Sequence, residues 1–182
     1  MKVLRRRVMW QSVGVQLMRL ASLLLVIGLL ALGLAVAVIA IQVQHDETRN
    51  VDLLLVMAPD LPSAALIDHS FDLYHRGYAV HLALVGPGRG RAKADLLTRG
   101  VPESALVVAA EGESLFTALA VARGDAQSLL VVSDPADQLL SLKVAQDQGL
   151  QAYGSPTPSA SLDLLDVLRA ALDYWRYVLL QV

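Results

Sequence analysis

From residue 51 onward, short apolar runs alternate with segments whose apolar residues recur at helical spacing. VDLLLVM (51 to 57) is a buried-strand pattern ended by Ala58-Pro59-Asp60. Ala64 to Arg76 follows as a helix with Ala65, Ile67, Phe71 and Tyr74 on its apolar side, closed by Gly77. VHLALV (80 to 85) predicts a second strand, Arg91 to Arg99 a short helix, ALVVA (105 to 109) a third strand and Ser114 to Arg123 a third helix. LLVVS (129 to 133) predicts the fourth strand, with Pro135 suited to the first turn of a helix that runs to Gln148. Residues 150 to 153 form a weak fifth strand, Ser155-Pro156-Thr157-Pro158 an extended turn, and Ser161, as N-cap, opens a last helix to Val182. In that helix Leu165, Leu168, Leu172, Trp175 and Leu179 recur at helical spacing, which predicts core packing against the sheet; an aromatic end resting on a membrane surface is the other reading.

Strands alternating with helices predict an α/β fold, a Rossmann-like three-layer domain with a mainly parallel sheet. Right-handed crossovers gather the turns at 58–63, 86–90, 110–114 and 133–135 at one sheet edge, where a site would form.

Ahead of this domain lies LASLLLVIGLLALGLAVAVIAI (20 to 41), uncharged and with Ser22 as its one polar side chain. As a helix rising ~1.5 Å per residue it spans about 33 Å, enough for a hydrocarbon core of roughly 30 Å. The expected organisation is a basic leader (1–19), a transmembrane helix (20–42), a linker (43–50) and an α/β domain (51–182). Lys2, Arg5, Arg6, Arg7 and Arg19 precede the span, and Asp46 and Glu47 follow it. The positive-inside rule then places the N-terminus in the cytoplasm and the domain outside, with the lipid bilayer as partner of residues 20–42. A cleaved signal peptide is the competing reading, since Ala35-Val36-Ala37 has the small-x-small form; the apolar run exceeds the ~7–15 residues of a signal core and continues past that site.

Charge sharpens the picture. All seventeen acidic residues and ten of the fifteen basic ones lie beyond residue 45, giving the exported part a net charge of −7. Such a domain is a poor ligand for nucleic acid or for an anionic membrane surface, since both need a positive field. The absence of cysteine excludes disulfides and thiolate metal sites, and the four histidines show no HExxH spacing.

LIDHSFDLYHRGYAV, TRGVPESAL, EGESLFT and LLVVSDPADQLLSLKVAQDQGLQAYGSPTP occur in order, and with them the region from residue 51 to the C-terminus resembles the YdcF/SanA/ElyC-like family. The resemblance implies a membrane anchor, a Rossmann-like domain outside it and a part in cell-envelope and peptidoglycan-precursor metabolism. Glu111, Ser114 and Thr117 match the family's E-x-x-S-x-N-T segment, with Phe116 at the asparagine position. Leu66 replaces the family's arginine, and Asp137 and Leu140 replace the histidine and arginine that follow Ser133-Asp134-Pro135. Exchanging cations for an anion and an aliphatic residue removes the donors an anionic substrate would use. The expected function is therefore an accessory or ligand-binding module with a degenerate catalytic site, acting with envelope-biogenesis proteins or a precursor. The alternative is an enzyme acting on a phosphorylated or nucleotide-like envelope precursor.

The residues nominated as ligand-binding are Gly86, Glu111, Ser114, Thr117, Ser133, Asp134 and Asp137; the sequence names no cofactor and no catalytic residue. Several have a plainer reading. Ser114 suits a helix cap, Asp134 and Asp137 gain from a helix dipole, and Gly86-x-Gly88-x-Gly90 reads as a turn more readily than as a phosphate loop. A divalent site from Glu111, Asp134 and Asp137 is the weaker idea, and Ser133 lacks the G-x-S-x-G elbow of a serine hydrolase.

Overall fold

A computed structural model of the chain describes residues 2–42, 47–110, 114–158 and 164–180. Glu111, Glu113, His45 and Ser161 lie outside the described residues. One helix, α1 (Lys2–Gln42), runs through both leader and apolar run without a break, and its Gln16–Val38 segment is long and apolar enough to cross a membrane. The α/β domain follows as β1 (Leu53–Met57), α2 (Ala64–His75), β2 (His81–Val85), α3 (Arg89–Thr98), β3 (Leu106–Val108), α4 (Leu115–Ala122), β4 (Ser128–Ser133), α5 (Pro135–Asp147), β5 (Gln151–Pro156) and α6 (Leu164–Leu180).

All five strands are parallel, in the order β3-β2-β1-β4-β5. A sheet covered on both faces buries every strand side chain, so the central strands are apolar at consecutive positions rather than alternating. Leu54 and Val56 of β1, with Leu82, Leu84, Leu130 and Val132, face Leu66, Ile67 and Leu73 of α2 and Ala92 and Leu96 of α3. Leu53 and Leu55, with Ala83, Val85, Leu129 and Val131, face Ala118, Leu119 and Ala122 of α4 and Leu142, Val144 and Ala145 of α5. The strand order therefore reverses between β1 and β4.

Two elements differ most from the sequence expectation. The fifth strand is six residues long, and it pairs with β4 from Ser128↔Gln151 to Ser133↔Pro156. Pro156 is tolerated there because β5 is an edge strand and needs no donor on its outer side. The outer side is itself fastened by the segment that leaves α1. Glu47 N–H donates to Gly154 O at 2.9 Å, and the Arg49 guanidinium stacks 4.0 Å from the Tyr153 ring.

The larger correction concerns α6. Its packed face is Val167, Ala170 and Ala171, set against Leu32 and Val36 of α1 and Ala136 and Leu139 of α5. Trp175 Nε1 donates to Ala31 O at 3.2 Å. Leu165, Leu172 and Leu179, expected in the core, are exposed. Helical spacing identifies an apolar stripe but not its neighbour, and here the small residues allow close helix packing while the large ones face outward.

At the amino-terminal ends of the inner strands Asp52 accepts from Ser128 Oγ (2.8 Å), Ser128 N (2.9 Å) and Gln127 N (3.0 Å), joining the starts of β1 and β4. The Ser128 hydroxyl first, then the two backbone donors, hold its carboxyl below the usual 3.8. A depressed carboxyl stabilises the fold above its unfolded pKa and ceases to do so as pH falls through the folded value. Asp52→Ala is therefore expected to lose about 1 kcal/mol at neutral pH. In urea titrations the deficit should stay constant down to about pH 5 and close below the usual 3.8; a pH-independent deficit would rule out this charge effect.

Candidate functional site

In a sheet of this order ligands enter outside the carboxyl ends of the strands where the order reverses, between the turns after β1 and β4. The turn after β1 runs into α2, whose N-cap Ser63 accepts from Leu66 N at 3.1 Å. The turn after β4 is Ser133-Asp134-Pro135, with Asp134 as N-cap of α5 and Pro135 in its first turn.

Ser133 is fully buried. Its hydroxyl donates to Gln138 Oε1 (2.7 Å), with Asp134 O at 3.1 Å as a second acceptor, and the Gln138 amide donates to Val131 O (3.1 Å). Thr157 completes the lock by donating to Ser133 O from both N (2.9 Å) and Oγ1 (3.0 Å). Ser133 thus fastens β4, β5 and the start of α5 together. Ser114 caps α4 by accepting from Thr117 N at 3.3 Å, and its hydroxyl lies 3.0 Å from Thr117 Oγ1, so this pair is also satisfied locally.

Gly86 and Gly88 are required by packing. Gly86 has φ +103, and a Cβ at either residue would overlap a backbone oxygen of the turn after β1, Ala58 O for Gly86 and Pro59 O for Gly88. Gly88 N–H already donates to Ala58 O at 3.1 Å. Gly90 lies inside α3, which starts two residues earlier than its sequence suggests. Arg89 donates back to Gly86 O (2.8 Å) and Arg91 reaches Asp60 O (3.2 Å) in the turn after β1. The Gly88 amide and the Arg91 guanidinium are thus engaged by that neighbouring turn.

Asp134 and Asp137 keep their carboxylates uncommitted to helix capping: Asp134 makes no side-chain bond to its own helix. Desolvation raises the Asp134 pKa, and Asp166 of α6 raises it further. The Asp137 carboxyl is raised by desolvation, then by Asp134, Asp173 and Asp166, while Arg169 opposes the shift. Four carboxylates against one guanidinium make this corner repel anions. No group of three His, Asp or Glu side chains among the described residues is placed to hold a metal ion.

The nominated residues thus fall into separate places: Gly86 beside β1, Ser114 and Thr117 on α4, and Ser133, Asp134 and Asp137 together at the β4 turn. Nor do the three apolar replacements gather. Leu66 is in the α2-side core, Leu140 packs on the α5 side and Phe116 is exposed.

One contact escaped the sequence altogether. His69 Nε2 lies 2.9 Å from Ser155 Oγ, and Thr48 Oγ1 lies 3.2 Å from the same hydroxyl. A serine and a histidine at this distance have the geometry of a nucleophile and its base. Ser155 has no exposed surface, however, so the contact joins α2, β5 and the segment after α1 rather than presenting a nucleophile. Residues 86 positions apart leave no spacing signal.

No protein-family model, curated protein or solved structure matches the chain. Fold and site define a Rossmann-like α/β domain built onto a long apolar helix, with an acidic corner at the strand-order reversal.

Proposed function

We propose that this chain is a divergent YdcF/SanA/ElyC-like protein, held on the outer face of the cytoplasmic membrane by one N-in helix, with an accessory or ligand-binding role in envelope biogenesis. The observation that carries this reading is the commitment of the site hydroxyls: Ser114, Thr117 and Ser133 each bond within the domain. A retained anchor is supported by the docking of Ala31, Leu32 and Val36 on α6, since cleavage after a signal sequence would strip α6 of that neighbour. Asp134 and Asp137 favour the second reading, an enzyme, because carboxyls raised at a sheet edge are a common feature of active sites. Their charge weighs against a phosphorylated precursor as its substrate.

The test is complementation together with thermal shift. In cells lacking the gene, the Asp134→Asn/Asp137→Asn double variant is expected to restore envelope integrity as well as the parent chain does. Nucleotides, sugar phosphates and polyprenyl phosphates should leave the Tm of the full chain unchanged. A Tm shift that persists in the double variant would mark a binding module for that ligand; an enzyme working through the two carboxyls would lose with them both complementation and the shift, about 2.7 kcal/mol for a ligand at one hundred times its Kd.

A further inference from the structure

The exposed leucines of α6 stand in one line. Leu172 and Leu179 are seven residues apart, two turns along one face, and remain 62% and 74% exposed although the domain has a formed core. Trp175 sits between them on the same side, and its indole N–H donates to Ala31 O of α1. Leu25 and Leu29 of α1, on the helix face that carries Leu32 and Val36, are exposed as well, so apolar side chains of both helices are left uncovered around that contact.

The level of the contact decides what covers that surface. Ala31 lies seven residues before Val38, the end of the apolar segment, which is about 10 Å of helix at ~1.5 Å per residue. If Gln16–Val38 crosses a bilayer, a helix docked on Ala31, Leu32 and Val36 is below the headgroups. Its arginines fit that position, while Asp166 and Asp173 lie further round the helix, toward Asp134 and Asp137. Arg169 and Arg176 stand one turn from Leu172, on the flank of the stripe, and are exposed, where long cationic side chains reach headgroup phosphates while their stems cover apolar surface.

We propose that α6 is embedded in the outer leaflet beside α1, with Leu172 and Leu179 against lipid acyl chains, so that the domain is seated in the membrane rather than tethered above it. The inference rests on the reading of α1 as a membrane-spanning helix.

The chain has no cysteine, so single-cysteine spin labelling is clean. The full chain, reconstituted in phosphatidylcholine/phosphatidylglycerol vesicles, would carry a nitroxide at Leu172→Cys, Leu179→Cys, Leu24→Cys within the apolar segment, or Val121→Cys on exposed α4. Collisional access to oxygen and to a water-soluble nickel complex is then compared. The expected result is a lipid-like ratio of oxygen to nickel access at Leu172→Cys and Leu179→Cys, matching Leu24→Cys, and a water-like ratio at Val121→Cys. Water-like ratios at both α6 positions with a lipid-like Leu24→Cys would overturn the inference and leave the span intact. A water-like Leu24→Cys would overturn the span as well. Low access to both reagents at α6 would mean that a protein surface covers the stripe, and would equally overturn lipid contact.

Discussion

Gly88→Ala is expected to be among the most damaging substitutions of a single methyl group in the domain, at about 3 kcal/mol or more. The added Cβ would overlap Pro59 O and stand 3.0 Å from Pro62 Cδ, and neither belongs to a flexible side chain that could swing away. Relief requires the turn after β2 to lift off the turn after β1. That movement breaks the Gly88 N–Ala58 O bond and strains the Ala58 N–Val85 O bond beside it. Against a typical net stability of ~5–15 kcal/mol the loss corresponds to about 10 °C in Tm. Gly90→Ala supplies the contrast. A Cβ there meets nothing within 4 Å and Gly90 lies in α3, so alanine should stabilise by about 0.5 kcal/mol through helix propensity and a less flexible unfolded chain. Urea unfolding of both variants separates packing from ligand binding. A phosphate-cradling loop would tolerate both changes in stability and lose affinity, whereas opposite signs in stability would establish the close backbone approach.

This pair also marks where sequence was sufficient. The β-α alternation was readable because parallel strands covered on both faces need consecutive apolar residues, as in Leu53–Met57 and Ser128–Ser133, and because Gly77, Gly100 and Gly149 end helices with positive φ. The glycine loop showed that a special backbone was needed but not what it approached, since the neighbour is a different turn some thirty residues earlier. The extent of α6 is legible in the sequence, but its neighbours are α1 and α5 rather than the sheet, and of the apolar stripe Trp175 packs inward while Leu165, Leu172 and Leu179 do not. Large residues at 165, 172 and 179 give the stronger periodic signal, yet Ala170 and Ala171 permit the close packing on α1 and α5. The site was legible as a set of turns on one edge; which of its hydroxyls were already spoken for depended on Gln138 and Thr157, ordinary polar residues with no motif around them.

Gln138→Ala should cost about 3 kcal/mol, while Ser133→Ala should cost about 1 to 2 kcal/mol. Gln138 is fully buried on α5, with its amide lying over Gly154, where even a Cβ would come to 2.5 Å from Nε2. Truncation removes the packing over β5, the bond to Val131 O and the acceptor for the Ser133 hydroxyl at once. Ser133 keeps Asp134 O as an acceptor after that loss. Ser133→Ala instead strands Gln138 Oε1, a penalty that disappears once Gln138 is gone. The double variant should therefore be less destabilised than the sum of the singles by about 1 kcal/mol. The functional consequence is local. Gln138 and Thr157 hold the turn that presents Asp134 and Asp137, so Gln138→Ala loosens the acidic corner whereas Asp137→Asn alters only its charge. Amide exchange at Asp134, Ala136 and Asp137 should accelerate in Gln138→Ala and stay near the parent rate in Asp137→Asn. Equal protection in both would mean that the turn is held by the α5 helix alone and that the buried amide serves packing.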